Sequence, residues 1–178
     1  MEENKKIIIN GQQNRYQIKK LTTNPIINKK RVEIEKLNIQ SEYFTFEKQF
    51  EIINDYKNEL NDDNKIIIKQ LEKKILGYKQ QDINKNVLEL NKFIDLNHVI
   101  DKLVQTEMKC YYCNIKMSLL YENVREPSQW SIDRIDNNLG HNNDNYVLAC
   151  LKCNLKRRRQ NSNDFLFTKQ LNIVKQDS

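Results

Sequence analysis

The chain has 178 residues, 38% of them hydrophobic and 30% charged, and a formal net charge of +6. That length fits one domain with an extension or two small ones, and the apolar share is too high for a disordered chain. Three Gly and two Pro argue against a turn-dense all-β fold, no run approaches the roughly 20 apolar residues of a membrane span, and the positive balance favours a polyanionic partner.

Residues 1–45 show no sustained period and read as an irregular arm. The opening "MEENKKIIIN" has an apolar run too short for a signal-peptide core. "RVEIEKLNIQ" alternates, which fits one short strand or a solvated arm. From Phe44 the spacing turns helical, with Phe46, Phe50, Ile53 and Tyr56 on one face, ending near "NDDN". A second helix is predicted over Asp63 to Tyr78, on Ile67, Leu71, Ile75 and Tyr78, with Gly77 close to its end and a lysine-rich outer face. A third is predicted from Leu96 to Thr106, with Val99, Ile100, Leu103 and Val104 inward and Asp95 or Asn97 as cap. These make residues 46–106 an α-helical region.

Residues 107–178 carry the chemistry. "CYYC" places Cys110 and Cys113, and "CLKC" places Cys150 and Cys153. Two C-x-x-C knuckles bring four thiolates to one ion, and a closed tetrahedral set makes that ion structural zinc rather than catalytic. A redox dithiol or buried free thiols are the alternatives. Cysteine confined to residues 110–153 places the chain in a reducing intracellular compartment, not among secreted proteins.

Between the knuckles, "QWSIDRID" reads as a strand that carries an acid, Asp133. "NYVLAC" is a second strand ending on the knuckle, and "CNLKRRRQNSNDF" is a helix with Asn154 in its first turn. In a strand–loop–strand–helix unit Asp133 and Asn154 can converge. Their oxygens are hard ligands that suit Mg²⁺ or Mn²⁺. Lys152, Lys156, Arg157, Arg158 and Arg159 form a basic run beside that point, a surface for phosphates.

From Lys109 to Phe167 these residues resemble the HNH nucleases, the ββα-metal group, in their four-cysteine form. The motifs are "CYYC", "SIDRID", "GHNNDN", "YVLACLKCN" and "LKRRR", and they look most like versions found in phages and large DNA viruses. The resemblance implies an α+β fold: a helical N-terminal extension followed by a treble-clef-like ββα-metal domain. It implies metal-dependent hydrolysis of DNA, with Asp133 and Asn154 as ligands of the catalytic ion. Asn145 would tie the loop, and the four cysteines would hold zinc. The family's general base follows the metal-ligand Asp, and here that position is Arg134. A guanidinium stays protonated and cannot act as a base, although it can grip the scissile phosphate. His141 in the loop is the candidate base, with Asp136 as a weaker one or a third ligand. A different reading is a nucleic-acid-binding zinc module whose chemistry has decayed. A purely structural zinc domain is a third.

Overall fold

The computed structural model describes residues 29–56 and 62–171, with the side chains of 62–64 excepted, and the single position Gly11. Expectations for residues 1–28 lie otherwise outside the described residues. The architecture is α+β: helices around one two-stranded antiparallel sheet.

Three departures from the sequence expectations shape the molecule. First, "RVEIEKLNIQ" forms no strand. It gives α1 (Val32–Lys36), and a 3₁₀ turn (Ser41–Phe44) follows it. Ile34 and Tyr43 are buried, while Val32 and Leu37 stay exposed, so there is no apolar face of period two to pair. The residues just before α1 are tied to the segment ahead of β1: Arg31 N–H donates to Glu122 O (2.7 Å) and Val124 N–H to Lys29 O (2.9 Å).

Helix α2 (Phe46–Asp55) is capped by Thr45, whose hydroxyl accepts from Lys48 N–H. Helix α3 brings the second departure. It runs from Asp62 to Asn84, through Gly77 and well past Tyr78. Ile67, Leu71, Ile75, Tyr78 and Asp82 continue one buried face at steps of three and four residues. A glycine inside a helix costs about 1 kcal/mol against alanine, which the packing of that face outweighs. Helix α4 (Leu96–Gln105) begins at Asp95, whose carboxylate accepts from His98 N–H, and buries Val99, Ile100 and Leu103.

Strands β1 (Trp130–Arg134) and β2 (Tyr146–Cys150) pair Trp130 with Cys150 and Arg134 with Tyr146. Every residue of both is buried. The third departure follows β2. One helix was expected, but two form: α5 (Leu151–Arg157) and α6 (Ser162–Gln170). Arg158 breaks the run at φ 55°, and the Asn161 side chain restarts it by accepting from Asn163 and Asp164 N–H. Helix α5 lies against both strands.

One cluster of buried apolar residues runs from Ile34 to Phe165 and spans both sides of residue 106. No helix among the described residues is long and apolar enough to cross a membrane.

Candidate metal centre and nucleic-acid interface

The register of the hairpin places the two ends of the site. At one end Cys150 closes β2 opposite Trp130, and its sulfur accepts from Cys153 N–H (3.4 Å) as α5 begins. The first knuckle is held against β2 by Tyr111 N–H to Leu148 O (2.9 Å). Its turn closes through Asn114 N–H to Cys110 O (2.9 Å), with Asn114 in the left-handed region at φ 56°.

All four sulfurs lie within 4.8 Å of one another, and Cys113 and Cys150 are 3.8 Å apart. A tetrahedron with metal–sulfur bonds of about 2.3 Å has sulfurs about 3.8 Å apart. The cysteines are free thiols. A hydrogen bond from Cys150 holds the Cys110 thiol well below its usual range, at about 5. The same contact and burial push Cys150 up, and burial with the neighbouring Cys113 sulfur pushes Cys153 up to about 12. Crowded sulfurs cannot all ionise by themselves, and a divalent cation removes that conflict. The four thiols can therefore hold a metal ion.

At the other end of the hairpin, Asn145 brackets the loop. Its amide oxygen accepts from Asp136 N–H (2.8 Å), and its amide nitrogen donates to Asp136 O (2.9 Å) and Gly140 O (3.0 Å). All three of these bonds join the Asn145 side chain to backbone. Arg134 is also tied to this loop, donating to Leu139 O (2.8 Å).

Asp133 is in a different position from that of an open metal ligand. Arg157 grips it side-on: Nε donates to Oδ2 (2.6 Å) and Nη2 to Oδ1 (2.7 Å). The Tyr112 hydroxyl donates to Oδ2 as well (2.8 Å). Arg157 is 1% exposed. It also donates to Gln160 O (2.7 Å), to Arg134 O and, at 3.4 Å, to Asn137 Oδ1. Burial opposes the guanidinium charge, yet the Asp133 carboxylate outweighs it and holds the Arg157 pKa above the usual value. Arg157 is thus a buried partner of Asp133, not a phosphate contact on the surface. Asn154 sits beside Asp133's strand, donating from its amide nitrogen to Ser131 Oγ and Ile132 O (both 3.1 Å). Both Asp133 oxygens are engaged by donors, so this arrangement does not fit Mg²⁺ or Mn²⁺ at that carboxylate.

His141 is buried at 3% exposure. Its Nδ1 lies 2.7 Å from Asp82 Oδ1, and its backbone N–H donates to Asp82 Oδ2 (2.6 Å). Its ring rests on Tyr78 at 4.6 Å between centroids. Burial lowers the imidazole pKa against the opposing pull of Asp82, and Arg134 and Lys85 lower it further. His141 fastens the loop to α3. Asp136 lies at the loop's mouth, where its Oδ1 accepts from Asn138 N–H (2.9 Å).

Outside that loop is an open groove of about 980 Å³, lined by Lys85, Arg134, Asp136, Arg158 and Arg159 among others. His141, Asp133 and Asn154 do not line it. Lys152 and Lys156 are exposed on α5.

The comparisons with known proteins add one relative. Over 93 residues the chain is 36% identical to an uncharacterized protein of Acanthamoeba polyphaga mimivirus. The match takes in 52% of this chain and 15% of that viral protein. No family model matches the chain, and no solved structure does.

Sequence reasoning missed Asp82 and Lys85. Asp82 carried a signal: it stands one turn beyond Tyr78, an acid on the apolar face of α3. Ending that helix at Tyr78 concealed it.

Proposed function

We propose that the chain is a zinc-braced, HNH-like ββα protein that binds DNA through its phosphates. The observation that supports this best is the convergence of Lys85, Arg134, Arg158 and Arg159 on one groove, where Asp136 is the single carboxylate. These cations come from the turn after α3, from β1 and from the α5–α6 turn, so the fold gathers charge that the sequence scatters. Cations that replace counterions on a phosphate backbone supply affinity without sequence information. Zinc on Cys110, Cys113, Cys150 and Cys153 would hold the knuckle end of the hairpin, where α5 begins.

Metal-dependent hydrolysis of DNA is the second reading. The Asn145 bracket and the place of Asn154 beside Asp133 favour it. It requires Arg157 to leave Asp133 before a divalent ion binds there.

The test is a fluorescence-anisotropy titration of labelled duplex DNA over a salt series. Wild type, Lys85→Ala and Arg159→Ala are compared, with a plasmid-cleavage lane in Mg²⁺ and Mn²⁺ for wild type and Asp133→Ala. Affinity is expected to fall linearly in log–log form, with each variant reducing the slope by about 0.9. Salt-insensitive binding, or variants that bind like wild type, would remove the proposal. Cleavage by wild type and not by Asp133→Ala would promote the hydrolytic reading.

A further inference from the structure

A second cation-rich pocket lies away from the groove, where the segment before α1 meets α3 and the start of β1. It is about 240 Å³, lined by Arg31, Gln70, Lys73, Lys74, Tyr121 and Trp130 among others. We infer that this pocket is a phosphate-binding site, with Arg31 and Lys74 as the charged donors and Tyr121 as its aromatic floor.

The charges are arranged in a way that calls for an anion. The Arg31 guanidinium carbon stands 4.5 Å from the Tyr121 ring centroid, and Lys74 Nζ stands 5.5 Å from the same centroid. Lys74 also lies 4.9 Å over Trp130. Two cations share one ring, and among the described residues neither makes an ion pair, although the Glu33 carboxylate feels the Arg31 charge. Lys73 does have a partner, Glu33, at 2.5 Å. Like charges in a half-buried place disfavour one another, and burial removes the water that would relieve them. Burial first, then Arg31, push the Lys74 pKa down to about 7.

The donors are only partly used. Arg31 gives one bond to Gln70 Oε1 (2.8 Å) and a long one to Tyr121 O (3.4 Å). Lys74 gives two, to Gln129 Oε1 (3.1 Å) and Trp130 O. A guanidinium has five N–H groups and an ammonium three, so both keep donors for a ligand. Gln70 uses its oxygen on Arg31 and keeps its amide nitrogen. A planar guanidinium fork with an ammonium and an amide in one pocket suits an oxyanion such as phosphate. The phosphate has two possible sources, a free phosphate or the backbone of a nucleic acid. Trp130 lines this pocket and Arg134 lines the groove, so the two cation sites sit at opposite ends of β1.

Trp130 is the chain's single tryptophan and lines the pocket, so its fluorescence reads the site directly. The zinc-loaded full chain is titrated with inorganic phosphate at constant ionic strength against a chloride control, from pH 6.5 to 8.5. A saturable change is expected, at least ~10-fold weaker in Arg31→Gln. Lys74→Met should weaken binding as well, most at the acid end of the series, where Lys74 carries its proton. Melting curves check that the variants fold, and Gln70→Leu serves if Arg31→Gln does not. Competition by an oligonucleotide without terminal phosphates identifies the backbone as ligand. Failure to compete identifies free phosphate. No saturable change, or one that the Arg31 or Gln70 variant leaves intact, overturns the site. The phosphate titrations of wild type and of the Arg31 and Gln70 variants do not depend on whether the groove binds DNA.

Discussion

Arg157 and Asp133 form a side-on pair with both carboxylate oxygens engaged, at 2.6 and 2.7 Å, inside the wedge between β1 and α5. Removing one member leaves the other charged and dry. Arg157→Ala should therefore cost about 3–5 kcal/mol in urea unfolding. Replacing both, as Asp133→Asn with Arg157→Met, should recover much of that loss. A double variant as unstable as the sum of the singles would show that the pair does not couple.

The metal prediction concerns stoichiometry. Metal analysis of the purified chain should give one zinc per four thiols, released by a strong chelator. Apparent zinc affinities of this kind are worth about 10–16 kcal/mol at neutral pH. Cys153→Ser should thus abolish cooperative melting of the hairpin region, as followed by Trp130 fluorescence. A chain that melts identically with and without chelator would speak for thiols without metal.

Gly140 is a packing constraint. A Cβ there would lie 2.5 Å from Val87 O and 3.0 Å from Asp82 Oδ2. The first neighbour is backbone and cannot swing away. Gly140→Ala should destabilise by about 1–3 kcal/mol, as overpacking does, and should disturb the Asp82–His141 contact with it. Unchanged stability would mean that the loop backs away from α3 at little cost.

Stability should also fall in mild acid. His141 has its pKa lowered from 6.5 by burial in the folded chain. Below about 6.5 the unfolded chain takes up a proton that the folded one resists, so the unfolded state binds more protons. This contribution is present in full above that pH and is lost as pH falls. Melting temperatures from pH 8 to pH 5 should decline more steeply for wild type than for His141→Gln. Parallel curves would place the acid sensitivity elsewhere.

The knuckles, the two strands and the start of α5 were legible in the sequence because short-range spacing dictates them. Asn145 was legible for the same reason, since its partners sit within its own loop. Arg157 was misread. A run of four basic residues from Lys156 to Arg159 gives no sign of which one turns inward. That is decided by the break at Arg158 and by Asp133 on another strand. His141 was placed correctly in the loop, yet its contact depends on Asp82, 59 positions earlier. Such pairings are absent from local periodicity. The end of α3 was lost for a simpler cause: Gly77 and the amide-rich "GYKQQDINKN" weaken local propensity, and tertiary packing overrides it.

Helix α3 touches the hairpin at regular steps. Lys74 meets the Trp130 carbonyl, the Tyr78 hydroxyl receives Ile132 N–H (2.9 Å), and Asp82 holds His141. A fragment trimmed at residue 107 would keep every recognisable motif yet lose this splint. Ile132 and His141 would then each have an amide without its acceptor. The smallest autonomous unit of this protein is accordingly larger than its signature, and the excised motif would be a poor object on which to judge what the protein can do.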